Sequence, residues 1–195
     1  MIKWWGKAWN KNLESYADYS NRIERGRSYV KNGEVLDLKI KEGRVEALVQ
    51  GSRSKPYSVE ITIDKLSKTK WKDMTEVCNR RIETMETLLS GEFPKEFDKF
   101  FSDSRYGLFP SPKEIHFNCS CPDSARLCKH IAAALYGIGA RLDEDPILFF
   151  KLRDVDFQEL LKKSMEDKMQ SMFKNADKKS ERVIDDEDVF DLFGV

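Results

Sequence analysis

Apolar positions along this chain change their period several times, and each change marks a new element. In the opening stretch WWGKAWNKNLESYADY, Trp5, Trp9, Leu13 and Tyr16 recur at spacings of four and three. That spacing sets them on one face of a helix, an aromatic face suited to a core. From Ser28 to Asp64 the period shortens to two. The segments Val35–Ile40, Arg44–Val49 and Tyr57–Ile63 alternate between apolar and polar residues and are parted by glycine-containing turns. This pattern predicts an antiparallel β-meander.

The helical period returns at Trp71, with Met74, Val77, Cys78, Ile82, Met85, Leu88 and Leu89 on one stripe that Gly91 closes. Cys78 lies inside that stripe and reads as a small buried hydrophobe. A short helix is expected in PKEFDKFFS after Phe93. The two prolines of GLFPSPKEIHFNC then favour an extended run into residue 119. Beyond residue 130, Ile131, Ala134, Leu135, Ile138 and Leu142 share one helical face. Further helices are expected over Pro146–Leu152 and from Phe157 to about Asn175, where Phe157, Leu160, Leu161, Met165, Met169 and Phe173 are spaced for packing. Residues 176–188 are charged and poor in apolar side chains, which predicts disorder, and the chain then closes on DVFDLFGV.

Composition narrows the class. A chain of 195 residues with 40% hydrophobic content can bury a sizeable core. No run approaches the ~18 apolar residues that a membrane span requires, and the first residues lack the apolar segment of a secretory leader. A cytoplasmic protein with reduced thiols is therefore expected. The zero net charge is unevenly spread. Residues 1–72 hold 16 Lys and Arg against 9 Asp and Glu, whereas residues 176–195 hold 3 against 7. A basic head and an acidic tail point to a polyanionic partner at one end or simply to a well-solvated surface.

The densest chemistry lies in CSCPDSARLCKH, residues 119–130, which holds three of the four cysteines and one of the two histidines. In an extended strand, residues two apart point to the same side, so Cys119 and Cys121 offer both sulfurs to one point. Pro122, Asp123 and Ser124 turn the chain, and Cys128 and His130 arrive as a second pair two apart. Three thiolates and one imidazole make up a tetrahedral zinc set. Residues two apart on a helix lie about 200° around its axis, so a helix holding both Cys128 and His130 could not serve one metal; it must begin near His130. Its free N–H groups would then favour thiolates. Arg126 and Lys129 stand ready to offset the net negative charge. A disulfide would need an oxidising compartment, a Cys/His dyad would leave the matched spacings unexplained, and a catalytic zinc would need an open position and a nearby base. The closed structural site is the best reading. His116 alternates with Ile115 and Phe117 and is expected at the surface.

The pattern Cys119-x-Cys121, six residues, Cys128-x-His130, entered from a strand and left into an alanine-rich helix, resembles the SWIM zinc-finger family. WWGKAW, RGRSYVKNGEV, QGSRSKPY and DLFGV extend the resemblance to stand-alone bacterial and archaeal SWIM proteins, some associated with SNF2-type ATPases. The resemblance implies zinc held by Cys119, Cys121, Cys128 and His130, and a role in DNA binding or protein interaction rather than catalysis.

Together these readings predict an α+β chain: an N-terminal helix, an antiparallel β-meander, helices, a strand–zinc knuckle–helix unit and C-terminal helices. The expected divisions are 1–70, a helical connector at 71–113, the finger at 114–142, helices at 143–175 and an acidic tail at 176–195. Two roles remain open. In the first, Arg22, Arg25, Arg27, Arg53, Lys55, Arg126 and Lys129 form a phosphate-binding surface for nucleic acid, DNA before RNA, with Tyr29 and Tyr57 as stacking candidates or core residues. In the second, the chain is an adaptor for an SNF2-type ATPase or another protein, docked through Phe190, Leu192 and Phe193 in their acidic setting. No P-loop, nucleophile elbow or HExxH pattern is present, and no enzymatic activity, small-molecule substrate or membrane partner is expected.

Overall fold

The computed structural model describes residues 4–15, 20–79, 101 and 107–176. In chain order these form α1 (Trp4–Glu14), α2 (Ser20–Lys31), β1 (Val35–Lys41), β2 (Arg44–Val49), β3 (Tyr57–Ile63) and α3 (Lys68–Asn79). A 3-10 turn at Pro112–Glu114 then leads into β4 (Ile115–Cys119), α4 (Lys129–Glu144), α5 (Ile147–Leu152) and α6 (Phe157–Ala176). The α+β class holds. No helix of the described residues is long and apolar enough to cross a membrane.

The four strands form one antiparallel sheet in the order β1-β2-β3-β4. Strict alternation along β3 buries Tyr57, Val59, Ile61 and Ile63 on one face and turns Ser58 and Thr62 outward. Val59 stands opposite Cys119, and Ile61 opposite Phe117, so the metal-bearing strand is registered directly on the meander. The expected knuckle is therefore an extension of the sheet, and both contribute to one hydrophobic core.

Helix α4 lies at the centre. Its residues from His130 to Gly139 are buried all round, because the sheet covers one side while α1 and α2 cover another. Such a helix must be small-faced, and the run Ala132-Ala133-Ala134 meets that need. Gly26 of α2 sits so close that a Cβ there would lie 2.5 Å from the Ala132 carbonyl carbon. Trp9 of α1 spans the same contact by donating its indole N–H to the Leu135 carbonyl at 2.8 Å. The aromatic face of α1 packs as expected: Trp5 meets Phe101 and Phe149 with ring centroids 5.2 and 5.4 Å apart, and Trp9 meets Phe109 at 5.9 Å.

Three expectations need correction or lie out of reach. The stretch Ser20–Lys31 is a helix, so Ser28–Lys31 belong to α2 and the meander starts at Val35. Ile23, Gly26, Tyr29 and Val30 mark this helix's inward side, too sparse a set to announce a helix, and its stability comes from packing on α4 rather than from its own pattern. Met165, Met169 and Phe173 of α6 were expected to pack but are 65%, 56% and 69% exposed. A helical stripe establishes a face but not its partner: α6 contacts α3 and α5, while these three side chains stay exposed, and the side chains of Phe157, Leu160 and Leu161 lie outside the described residues. Tyr16, the side chain of Cys78, the remainder of the Trp71 stripe, the PKEFDKFFS helix apart from Phe101, and the tail from residue 177 lie outside the described residues.

Candidate metal centre

Strand β4 ends at Cys119, and pairing with β3 continues one residue further. Ser120 donates its backbone N–H to the Ser58 carbonyl at 3.0 Å, and Ser58 returns its N–H to Ser120 Oγ at 3.0 Å. This extended backbone sends Cys119 and Cys121 to the same side while Ser120 stays outward. The return half is set by the start of α4, where Cys128 is the N-cap in extended conformation (φ −90°, ψ 169°). The helix therefore begins between the two ligands, as the spacing requires, and both end on one point.

The ligand atoms of Cys119, Cys121, Cys128 and His130 lie within 4.8 Å of one another, and Cys128 Sγ is 3.8 Å from His130 Nδ1. A tetrahedral zinc with bonds of ~2.3 Å to sulfur holds its ligands about 3.7 Å apart, so the cluster is already near metal-binding size. Three sulfurs and one imidazole nitrogen also suit zinc by ligand chemistry, and they leave no fourth position for water. The site is positioned to bind a structural zinc ion. Nδ1 faces the sulfurs, so Nε2 is the distal nitrogen.

Electrostatics act in opposite directions on two of the sulfurs. In the metal-free cluster the Cys128 thiol is pulled down to about 5, first by a hydrogen bond from Cys119 and also by the backbone N–H groups of Ile131 and His130 at the helix start. The Cys119 thiol moves above the ordinary cysteine range, because its hydrogen bond to Cys128 and its burial hold the proton on it. Zinc binding requires every one of the three thiols to give up its proton.

His130 is 4% exposed and is held between two rings. Tyr57 lies at 4.4 Å between centroids and Tyr29 at 5.8 Å. Behind them, Gly51 of the β2–β3 loop comes so near that a Cβ there would be 2.6 Å from Tyr57 Cε2 and 2.8 Å from His130 Nε2. Tyr57, which was open to a stacking role, is thus a buried support for the metal ligand. The sequence signals for Tyr57 and Gly51 were an aromatic strand residue and a turn glycine, and neither residue type names a metal site.

The structure sorts the basic candidates into groups. Arg22 pairs with Asp123 of the knuckle at 2.5 Å, which brings the first turn of α2 against the metal loop. Arg22, Arg25 and Tyr29 follow at spacings of three and four, so they share one side of α2. Lys129 Nζ lies 5.2 Å from the Tyr29 ring centre. Arg53 and Lys55 are exposed in the loop whose Gly51 touches His130, and Gln50 Nε2 braces that loop by donating to the Arg53 carbonyl. Arg126 is exposed and donates to the Pro112 carbonyl at 3.3 Å. Arg27 does not join them; it turns to the other side of α2, where it binds Glu14 and donates to the Tyr136 hydroxyl at 3.3 Å. His116 is at the surface as expected, 3.0 Å from Asp64. Phe190, Leu192 and Phe193 lie outside the described residues.

The SWIM zinc finger family model matches residues 117–137. That span contains all four ligands, the β4 exit and the first half of α4. The chain is also 37% identical over 159 residues to the uncharacterized protein Rv2102 of Mycobacterium tuberculosis, an alignment covering 81% of this chain and 57% of that protein. The chain thus spans little more than half the length of this relative. No solved structure matches it significantly. The matched segment coincides with the geometric cluster, so the finger is identified both by its pattern and by its shape.

Proposed function

We propose that the SWIM finger of this chain holds a basic surface that binds nucleic acid, DNA in the first instance, within a larger DNA-associated complex. The observation that carries this reading is convergence. Three separate segments bring cationic side chains to the border of one metal site: Arg22 through its pair with Asp123, Lys129 through Tyr29, and the Arg53–Lys55 loop through the seat of Gly51 on His130. Phosphate binding needs mobile cations at fixed spacing, and these side chains are exposed or half-buried on well-held backbone. Zinc, when bound, supplies rigidity at the point where the three segments meet. Residue by residue, the chain then presents Arg22, Arg25, Arg53, Lys55, Arg126 and Lys129, with Arg27 left out.

The test is fluorescence polarisation with single- and double-stranded DNA across a salt series, on the zinc-loaded protein. Affinity is expected to fall as salt rises. Arg53→Glu with Lys55→Glu should weaken binding at unchanged zinc content and reduce the duplex salt slope by about 1.8, as for two lost phosphate contacts. Affinity indifferent to both salt and these charges would overturn the reading. It would instead favour the adaptor role, in which an SNF2-type ATPase or another protein is the partner and the chain itself contacts no nucleic acid.

A further inference from the structure

A groove of about 750 Å³ runs between α1, α2 and α4 on the side of α2 away from the knuckle. Val30, Tyr136, Gly139 and Ala140 line its apolar part. Lys7 and Lys11 stand one turn apart on the α1 wall, and Lys31 stands on the α2 wall. The groove's acids are already engaged. Glu14 holds Arg27 and accepts the Tyr136 hydroxyl at 2.6 Å, Asp143 accepts the Gly6 N–H at 2.7 Å, and Glu144 pairs with Arg141 at 2.9 Å. The three lysines make no ion pair among the described residues. Asn10 Oδ1 is buried in the same groove with no donor among the described residues. An apolar trough with free cations on both walls and an unmet acceptor is built for an extended, acidic segment that carries apolar side chains and backbone N–H groups.

The sequence contains one such segment. Residues 185–195, DDEDVFDLFGV, hold five acidic residues and no basic one, interleaved with Val189, Phe190, Leu192 and Phe193. We propose that residues 185–195 of this chain occupy the α1–α2–α4 groove, with Phe190 and Leu192 in the trough and the segment's acids set against the lysines. Two features argue for this occupant over an unrelated partner. Charge complements charge, since lysines without an ion pair among the described residues meet a segment with five acids and no base. The segment also belongs to the same chain and begins eight residues after the end of α6. The inference does not rest on the nucleic-acid reading, because the groove lies on the opposite side of α2 from the proposed DNA surface.

The test uses the full-length, zinc-loaded protein with p-benzoylphenylalanine at position 190, irradiated and mapped by peptide mass spectrometry. Adducts are expected on α1, α2 and α4 residues that line the groove. Lys7→Glu with Lys11→Glu should cut adduct yield by about fivefold, and Asp188→Lys with Asp191→Lys in the same chain should restore it. Neither pair touches the metal site, so zinc content and circular dichroism should stay at wild-type values. A covalent dimer with the same adduct positions supports the same occupant supplied by a neighbouring copy. Adducts concentrated on the exposed Met165–Phe173 face of α6, adducts to other proteins in place of the groove, or a yield indifferent to the lysine reversals would overturn the proposal.

Discussion

Gly51 illustrates how much a single missing side chain can decide. It lets the β2–β3 loop rest on the His130 and Tyr57 rings, and any Cβ there would overlap both. Gly51→Ala is expected to cost about 1–3 kcal/mol by overpacking and to speed zinc loss to a chelator, measured by thermal melts and by release to a colorimetric indicator. A variant with wild-type melting and release would show that the loop is not seated as described. The Arg153–Glu114 ion pair carries pH dependence. Arg153 is fully buried, and its Nη2 donates to Glu114 Oε1 at 2.7 Å, while Nε and Nη1 have no hydrogen-bond partner among the described residues. Burial works to raise the Glu114 carboxyl, but hydrogen bonds from Arg153 and Ser111 outweigh it and hold the group below the ordinary glutamate value of 4.5. A lowered carboxylate stabilises the fold above that ordinary value and loses its contribution as pH falls through its own lower one. Urea midpoints should therefore drop as pH goes from 5 towards 3 in wild type. In Glu114→Gln that acid-side drop should shrink, while stability at pH 7 falls by about 3–5 kcal/mol because Arg153 is left buried without its counter-charge. The four metal ligands were legible from spacing alone. Arg153 was not, since nothing in KLRDVD distinguishes a buried arginine from a solvated one.

Helix α2 shows the limits of periodicity. Its few apolar positions carry too little signal to announce a helix, and it was read instead as the approach to the meander. What stabilises it is the close approach of Gly26 to Ala132 and Ala133. Gly26→Val should push α2 off α4 and lower the melting temperature by several degrees for a cost of about 2 kcal/mol, with faster amide exchange in α2 than in α1. Equal exchange in both helices would count against that contact as the source of α2's stability. Helix α6 fails in the other direction: its stripe was conspicuous, but Met165, Met169, Met172 and Phe173 face solvent. Met165→Gln with Met169→Gln should therefore change stability by no more than about 0.5 kcal/mol, read from urea unfolding. A loss of several kcal/mol would mean that the face is covered in solution. The strands sit between these cases, because alternation names both their positions and their buried side, and β1 to β3 were found at the predicted residues with a small extension of β1 to Lys41.

For the molecule as a whole, the finger and the meander are one structure. The Val59–Cys119 and Ile61–Phe117 pairings place the first ligand pair on the sheet, and α4, which carries the last ligand, fills the core. Removing zinc should therefore disturb more than a loop. With a strong chelator at neutral pH, amide exchange should accelerate through residues 117–137 and along β3, with a smaller effect on α1, and added zinc should reverse it. Acceleration confined to residues 119–130 would show that the metal is not coupled to the core. The sequence by itself determined what depends on near neighbours: the alternating strands, the aromatic face of α1, the ligand set and the place where α4 must begin, all relations within about a dozen residues. Tertiary structure decided what depends on distant ones. Arg22 meets Asp123 across 101 positions, the Gly51 loop rests on His130, Arg27 turns away to Glu14 and Tyr136, and Met165, Met169 and Phe173 of α6 stay exposed. Local spacing constrains direction along the chain, whereas only the packed fold brings separate segments to one surface.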